Sequence, residues 1–454
     1  MVKKNDCRRD DSCFGRERSL EIVEEVLKLS RADQTEVRLT GFQSSLTRYA
    51  NSVIHQNVDE INARLSVKAY VGKKMGSVST NRLDKESIAK TVERALELAE
   101  LSPENPEFVS LPGPRPIPEA QCYFESTAAA TPYDRADNVM EVIAEANKAG
   151  FQAAGAHSTG VNEIAVGNSL GVRAYGKSTS AELTCVIMSD EGSGYAQASS
   201  RDIANIDAAQ VAEEAVRRCL MNKNQIAIEP GEYAVFLEPY AVAEMVSFLS
   251  SMGFSAVSYQ EGRSFLCGKL GTEIVSPLIN ICDDGLDPRG APFPFDGEGQ
   301  PKSRVALVEQ GVAKNLLYDS FAAFKEGKKE STGHYPRGMA SNLFLYALPE
   351  DSVSQEELMS GVKRGILVTR FHYVRSVHTQ KTIITGMTRD GTFLIEDGQV
   401  VSALKNLRFT ESILNALRST EGVGREQKLI GTSYSVVAPA LRLGKFNFTG
   451  QAEH

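Results

Sequence analysis

The sequence predicts an α+β fold: an N-terminal half that duplicates a unit of helix, antiparallel strands and helix, and a C-terminal half that is mostly antiparallel sheet. Three observations carry this. Helix and strand periodicities follow the same order on both sides of a proline-rich stretch at 103–118. Beyond Pro230, period-two runs separated by glycine and acidic turns take over. With 454 residues, 42% of them hydrophobic, the chain has material for two or three cores, since one core stops growing near roughly 250–300 residues.

The elements follow in order. Residues 19–30 place Ile22, Val23, Val26 and Leu27 on one helical face, with Ser19 as the candidate N-cap. Residues 36–40 alternate through Val37 and Leu39. Leu65, Val67, Ala69 and Val71 alternate up to a turn at Gly72, Lys73 and Lys74, and a further strand runs to Thr80. Helical spacing returns at 85–101 and stops at Ser102 and Pro103, because proline lacks the amide donor and clashes with the preceding turn. The prolines at 103, 106, 112, 114, 116 and 118 exclude helix and central strand and favour an extended connector, which divides segment 1–114 from segment 115–229.

Thr131 and Pro132 then read as N-cap and first residue of a helix running towards Gly150. Strand runs at 163–166, 172–175 and 181–188 and a helix at 207–221 complete the second unit. The third segment, 230–454, is sheet-rich, with runs at 233–237, at 304–308 against 312–316, and at 392–396 against 400–403. Helices interrupt it at 241–251, after the capping box of Ser354 and Glu357, and at 411–419.

Composition narrows the function classes. A formal charge of −8 from interspersed residues, with no basic cluster, opposes direct nucleic-acid binding. No run reaches the ~18–20 apolar residues of a membrane span, and the charged start, 1–18, has no apolar stretch behind it, so a cytoplasmic protein is expected. Seven scattered cysteines, none in a C-x-x-C pair, read as reduced thiols rather than a disulfide framework or a structural zinc site. No G-x-S-x-G elbow is present, and the glycine-lysine run at 262–269 has the wrong spacing for a phosphate loop. None of the six histidines pairs at i, i+3 or i, i+4; His372 and His378, six apart, are the nearest to a ligand pair.

Several stretches in fixed order are together similar to the TldD/PmbA family over nearly the whole chain. They include Ser45-Leu46-Thr47-Arg48-Tyr49, Val71-Gly72-Lys73-Lys74-Met75-Gly76 and Asn168-Ser169-Leu170-Gly171-Val172. More specific are Gly268-Lys269-Leu270-Gly271, Asp283-Asp284-Gly285, Ser331-Thr332-Gly333, Gly365-Ile366-Leu367-Val368-Thr369 and Leu394-Ile395-Glu396-Asp397-Gly398. The resemblance implies a two-subunit metallopeptidase in which the TldD type carries an H-E-x-x-x-H motif and a later cysteine. Leu237 and Pro239 upstream, with Gly268 and Gly271 downstream, set the register. They put Ser247 and Met252 at the histidine positions and Phe248 at the glutamate, and no cysteine follows Cys282. Hydroxyl and thioether are poor zinc ligands and a phenyl ring cannot act as a base. This departure matches the PmbA (TldE) type and implies a subunit with no catalytic residues, no metal and no cofactor of its own. The plainer alternative for Phe248 and Met252 is core packing.

The expected function is therefore that of a cytosolic partner subunit, assembling with a TldD-type chain or with itself as a dimer and holding an extended, unfolded peptide by strand addition. The candidate substrate contacts are Ser331, Thr332, Gly333 and His334, whose hydroxyls and imidazole could bond a peptide backbone; the alternative is a turn whose hydroxyls cap local backbone groups. The resemblance also implies an alternative, a non-enzymatic modulator of DNA gyrase acting by contact. An independent thiol hydrolase has the least support, since no cysteine has an activating sequence neighbour.

Overall fold

The computed structural model describes residues 14–452. Cys7, Cys13, His454 and most of the charged start lie outside them. The first unit runs α1 (Gly15–Leu29), β1 (Gln34–Ala50), β2 (Val53–Val71), β3 (Lys74–Thr80) and α2 (Lys85–Leu101). The second follows a one-turn α3 (Glu125–Ala128) as α4 (Pro132–Lys148), β4 (Gln152–Asn168), β5 (Arg173–Met188), β6 (Ser193–Ser200) and α5 (Ala208–Met221). All six strands join one antiparallel sheet in the order β3-β2-β1-β4-β5-β6, so the units meet where β1 pairs β4, for example Gln43 with Val161.

Local chemistry explains most boundaries. Asp84 accepts the Ser87 amide and Asp207 the Gln210 amide at the starts of α2 and α5, and Thr131 with Asp134 forms a capping box before Pro132. Ser19, expected as a cap, instead lies inside α1. It is buried and donates to Glu163 Oε1 at 3.0 Å across the helix–sheet interface, a long-range partner that sequence spacing does not reveal. β1 and β2 run further than the apolar alternation suggests, because Gln43 and Ser45 both donate to Asp59 on the facing strand. At Gly76 of β3 and Gly194 of β6 the neighbouring helix comes so close that a Cβ would lie 2.1 Å from the carbonyl oxygen of Ala95 or Ala215. Only glycine fits there.

The proline-rich connector forms no regular element, and Asn168 Nδ2 donates to Pro112 O to hold it down. After it the C-terminal half contributes β7 (Gly231–Leu237), β8 (Asn280–Asp284), β9 (Arg304–Glu309), β10 (Val312–Ala313), β11 (Asn342–Tyr346) and β12 (Ser352–Val353). These continue into β13 (Arg364–His378), β14 (Ile383–Glu396), β15 (Gln399–Ala403), β16 (Leu407–Ser412), β17 (Thr420–Ile430) and β18 (Ser435–Gln451). The sheet is mostly antiparallel as expected, with three parallel pairings: β11 with β18, β12 with β17, and β7 with β13. Because β18 pairs both β16 and β7, the circuit β7-β13-β14-β16-β18 closes on itself. Helix α6 (Pro239–Leu249), continued by a π turn at Ser250–Phe254, packs on β13 and β18. Its Met245, Val246 and Leu249 enter the largest core.

The sheet of the N-terminal half covers one face with α1, α2, α4 and α5 and turns the other towards the C-terminal half. Phe293 and Phe295 pack under Gly176, Tyr240 bonds the Gln197 amide, and Gly431 N donates to Ser199 Oγ. Between these contacts the two halves leave a cleft.

Candidate functional site

The four residues singled out in the sequence are brought together in the interior. Gly333 has φ +77° and a Cβ there would lie 2.4 Å from Pro301 O, so the turn requires glycine. Ser331 Oγ accepts the Gly333 amide at 3.3 Å. Thr332 Oγ1 accepts the Tyr318 amide at 2.7 Å, donates to Tyr318 O at 3.1 Å, and lies 2.9 Å from His334 Nδ1. His334 Nε2 is 2.9 Å from Asp283 Oδ1, and Asp283 Oδ2 accepts the Ser341 and Asn342 amides. His334 is 1% exposed.

The order threonine, histidine, aspartate has the composition of a nucleophilic triad, but the hydroxyl is committed to the Tyr318 backbone and both imidazole nitrogens are occupied. Ser331, Thr332, Gly333 and His334 thus form a buried latch tying three loops together, with no free imidazole atom for a peptide. Burial alone would raise the Asp283 pKa; His334, Lys302 and the Asn342 amide outweigh it and hold the carboxyl at about 2.

Beside the latch lies a cluster of buried charges. Lys302 Nζ donates to Ser341 Oγ at 2.6 Å. Burial pulls its pKa down, against the pull of Asp283 and Asp296 upward. Asp296 takes the amides of Glu298, Gln300 and Tyr335, yet burial still raises its pKa. Glu298 is raised further, by burial first and then by Asp296.

Lys302 and Ser341 also line a cleft of ≈ 290 Å³ between the uncovered sheet face and the C-terminal half. Thr40 of β1, Asn162 of β4, and Ser178 and Ser180 of β5 form its floor; Phe293 and Thr432 close the other side. Hydroxyls and an amide on successive strands can bond a peptide backbone without reading its side chains. Arg201 completes the wall, its Nη1 donating to Thr179 O at 2.9 Å and its Nη2 to Ala291 O and Pro292 O at 3.0 and 3.1 Å. No motif marks Arg201, because its partners are 22, 90 and 91 residues away.

Elsewhere, Ser247 is exposed on α6, Phe248 is half-buried against the main core, and Met252 is buried inside it. His372 and His378 both sit on β13 but do not converge: His372 tilts against Tyr373, and His378 is exposed, accepting the Lys381 amide. Among the described residues no group of three or more histidine, cysteine, aspartate or glutamate side chains is placed to hold a metal ion. The described cysteines, Cys122, Cys185, Cys219, Cys267 and Cys282, are all free, and among the described residues no helix is long and apolar enough to cross a membrane.

Comparison with known proteins gives these features a context. The chain is 24% identical to metalloprotease PmbA of Escherichia coli O157:H7, over 95% of this chain and 96% of that protein. The first curated relatives it matches are covered over less than half of their own length, 29%, 37% and 47%. The last is a TldD homolog of Haemophilus influenzae, 25% identical over 50% of this chain. The fold is that of TldE from Thermococcus kodakarensis (TM-score 0.85, 22% identity, 94% of this chain and all of that one). It is also that of a candidate modulator of a DNA gyrase from Thermotoga maritima (TM-score 0.83, 20% identity, 95% of this chain and all of that one). Models for the PmbA/TldA metallopeptidase domain 1, central domain and C-terminal domain match residues 35–99, 116–223 and 230–450 in order. The chain therefore belongs to the PmbA/TldA metallopeptidase family.

Proposed function

We propose that this chain is the partner subunit of a TldD/TldE-type cytosolic metallopeptidase, holding an extended peptide for a metal-bearing TldD-type chain. One feature carries the reading: the positions that the resemblance assigns to the TldD-type metal ligands and base are here Ser247 and Phe248 on α6 and Met252 in the π turn that follows it. A hydroxyl, a phenyl ring and a core-packed thioether do not fit a zinc ion, which takes imidazole, thiolate or carboxylate ligands. The hydroxyl-lined cleft supports the peptide-holding role, since strand capture depends on backbone bonds and accepts many sequences.

Mixing tests this. Metal and peptide cleavage should appear only when a TldD-type subunit is added, and the chain alone should hold no stoichiometric zinc by elemental analysis after dialysis. Cleavage by the chain alone, or one tightly held zinc per chain, would overturn the reading. The second reading, a contact modulator of DNA gyrase, draws on the description of the Thermotoga maritima structure. Co-purification separates the two: a TldD-type chain accompanies the protein in the first, gyrase in the second.

A further inference from the structure

Arg201 is a half-buried cation whose guanidinium donates to three neutral backbone carbonyls, and its Nε–H is buried with no hydrogen-bond partner. Burial lowers its pKa, and only a Cys122 thiolate would oppose this, a form that burial of Cys122 disfavours. Lys302 stands in the same cleft, close enough for the two cations to disfavour each other. Asp283 and Asp296 support the charge on Lys302, while among the described residues no carboxylate is within ion-pair distance of Arg201; Glu163, which also lines the cleft, is held by the Phe14 amide and the Ser19 hydroxyl. Two half-buried cations walling one cavity repel each other, and an anion between them would relieve that cost.

We propose that this cleft is a carboxylate subsite, with Arg201 and Lys302 as its cationic wall and a carboxylate of an extended peptide as its ligand. The proposal rests on the peptide-holding reading above and adds the class of group that is read. Lys302 Nζ, which donates to Ser341 Oγ, and the second Nη1 hydrogen of Arg201 are the donors left to meet the two oxygens of a carboxylate. Ser178, Ser180 and Asn162 on the floor would take the adjoining peptide backbone. The carboxylate could be the peptide's C-terminus or an acidic side chain, and the chemistry at Arg201 is the same.

Fluorescence anisotropy on the full chain with labelled alanine-glycine pentapeptides distinguishes these. Three forms are compared: free acid, C-terminal amide, and an amide carrying one glutamate. The free acid should bind at least tenfold more tightly than the plain amide, with the advantage shrinking in high salt. If the glutamate amide binds like the free acid, a side chain suffices; if like the plain amide, the terminus is read. The Arg201→Gln variant should lose the advantage while keeping its circular dichroism. Because Arg201 also ties Thr179 to Ala291 and Pro292, that variant could unfold, and the acid-to-amide ratio on the unaltered chain is decisive without it. Equal binding of all three forms, or a folded Arg201→Gln that keeps the tenfold ratio, would overturn the subsite and leave peptide holding intact. Absence of any peptide binding would overturn the subsite too, while the partner reading stands or falls on the mixing experiment.

Discussion

In the first unit of the N-terminal sheet, α2 lies on β3 with Gly76 beneath Ala95; in the second, α5 lies on β6 with Gly194 beneath Ala215. Gln152 opens β4 118 residues after Gln34 opens β1, and Gly194 follows Gly76 by the same 118. The backbones are two copies of one plan, but they are held differently. The first unit meets the C-terminal half through Lys68, which pairs with Glu36 at 2.8 Å and donates to Tyr335 Oη. The second docks through a buried network: Arg218 bonds Glu238 and Glu214, and Lys428 bonds Glu214 and Tyr240. It also supplies Ser178, Ser180 and Arg201 to the cleft, where the first unit supplies Thr40. A duplicated sheet keeps its strand–helix approach, which steric fit enforces, while the copy facing the site is free to acquire charge.

The largest expected effect tests this asymmetry. Arg218 and Glu238 are 6% and 8% exposed at their side chains. Arg218→Met strands Glu238 without its cation and should cost about 3–5 kcal/mol. Lys68→Met, at the more open contact of the first unit, should cost about 1–3 kcal/mol. Urea unfolding of both variants measures the difference; equal losses would show that docking is shared evenly between the units.

The next effect tests the likeness. Gly76→Ala and Gly194→Ala each drive a Cβ against a helix carbonyl, and overpacking of that kind costs about 2–3 kcal/mol. The two losses in thermal or urea unfolding should match. A neutral result at either glycine would mean that the close helix approach constrains only one copy.

Much of this was legible in the sequence where the signal is local. Thr131 and Pro132, the proline-rich connector, the Gly72 turn and the Ser354 capping box each depend on neighbours within a few residues, and each appears where expected. β6 was not legible, because Ser193, Gly194 and Ala196 look like loop residues until α5 covers them. The cleft was not legible either: Arg201 and Lys302 meet only through tertiary packing, and the bond from His334 to Asp283, 51 residues away, could not be read from the loop at 331–334 alone. Polarity in a sequence does not distinguish a group awaiting a ligand from one already satisfied inside.

The smallest effect sharpens the comparison at one position. His157 lies 118 residues after Leu39, the same separation as the other equivalent positions, and both are fully buried. The second copy thus holds an imidazole where the first holds an aliphatic side chain. Burial lowers the His157 pKa from 6.5 to about 4, with the Arg135 carbonyl opposing and the Arg135 charge adding to the fall. Between those values the unfolded chain takes up a proton that the folded chain refuses, so stability falls as pH falls. From pH 6.5 to 5 the loss should be roughly 1.6 kcal/mol, the slope approaching its full ~1.4 kcal/mol per pH unit only well below the unfolded pKa. His157→Leu restores the residue type of the first copy and should flatten the urea-unfolding profile over that range by the same amount. Parallel profiles for the variant and the parent would show that His157 is protonated in the fold and that its burial carries no acid sensitivity.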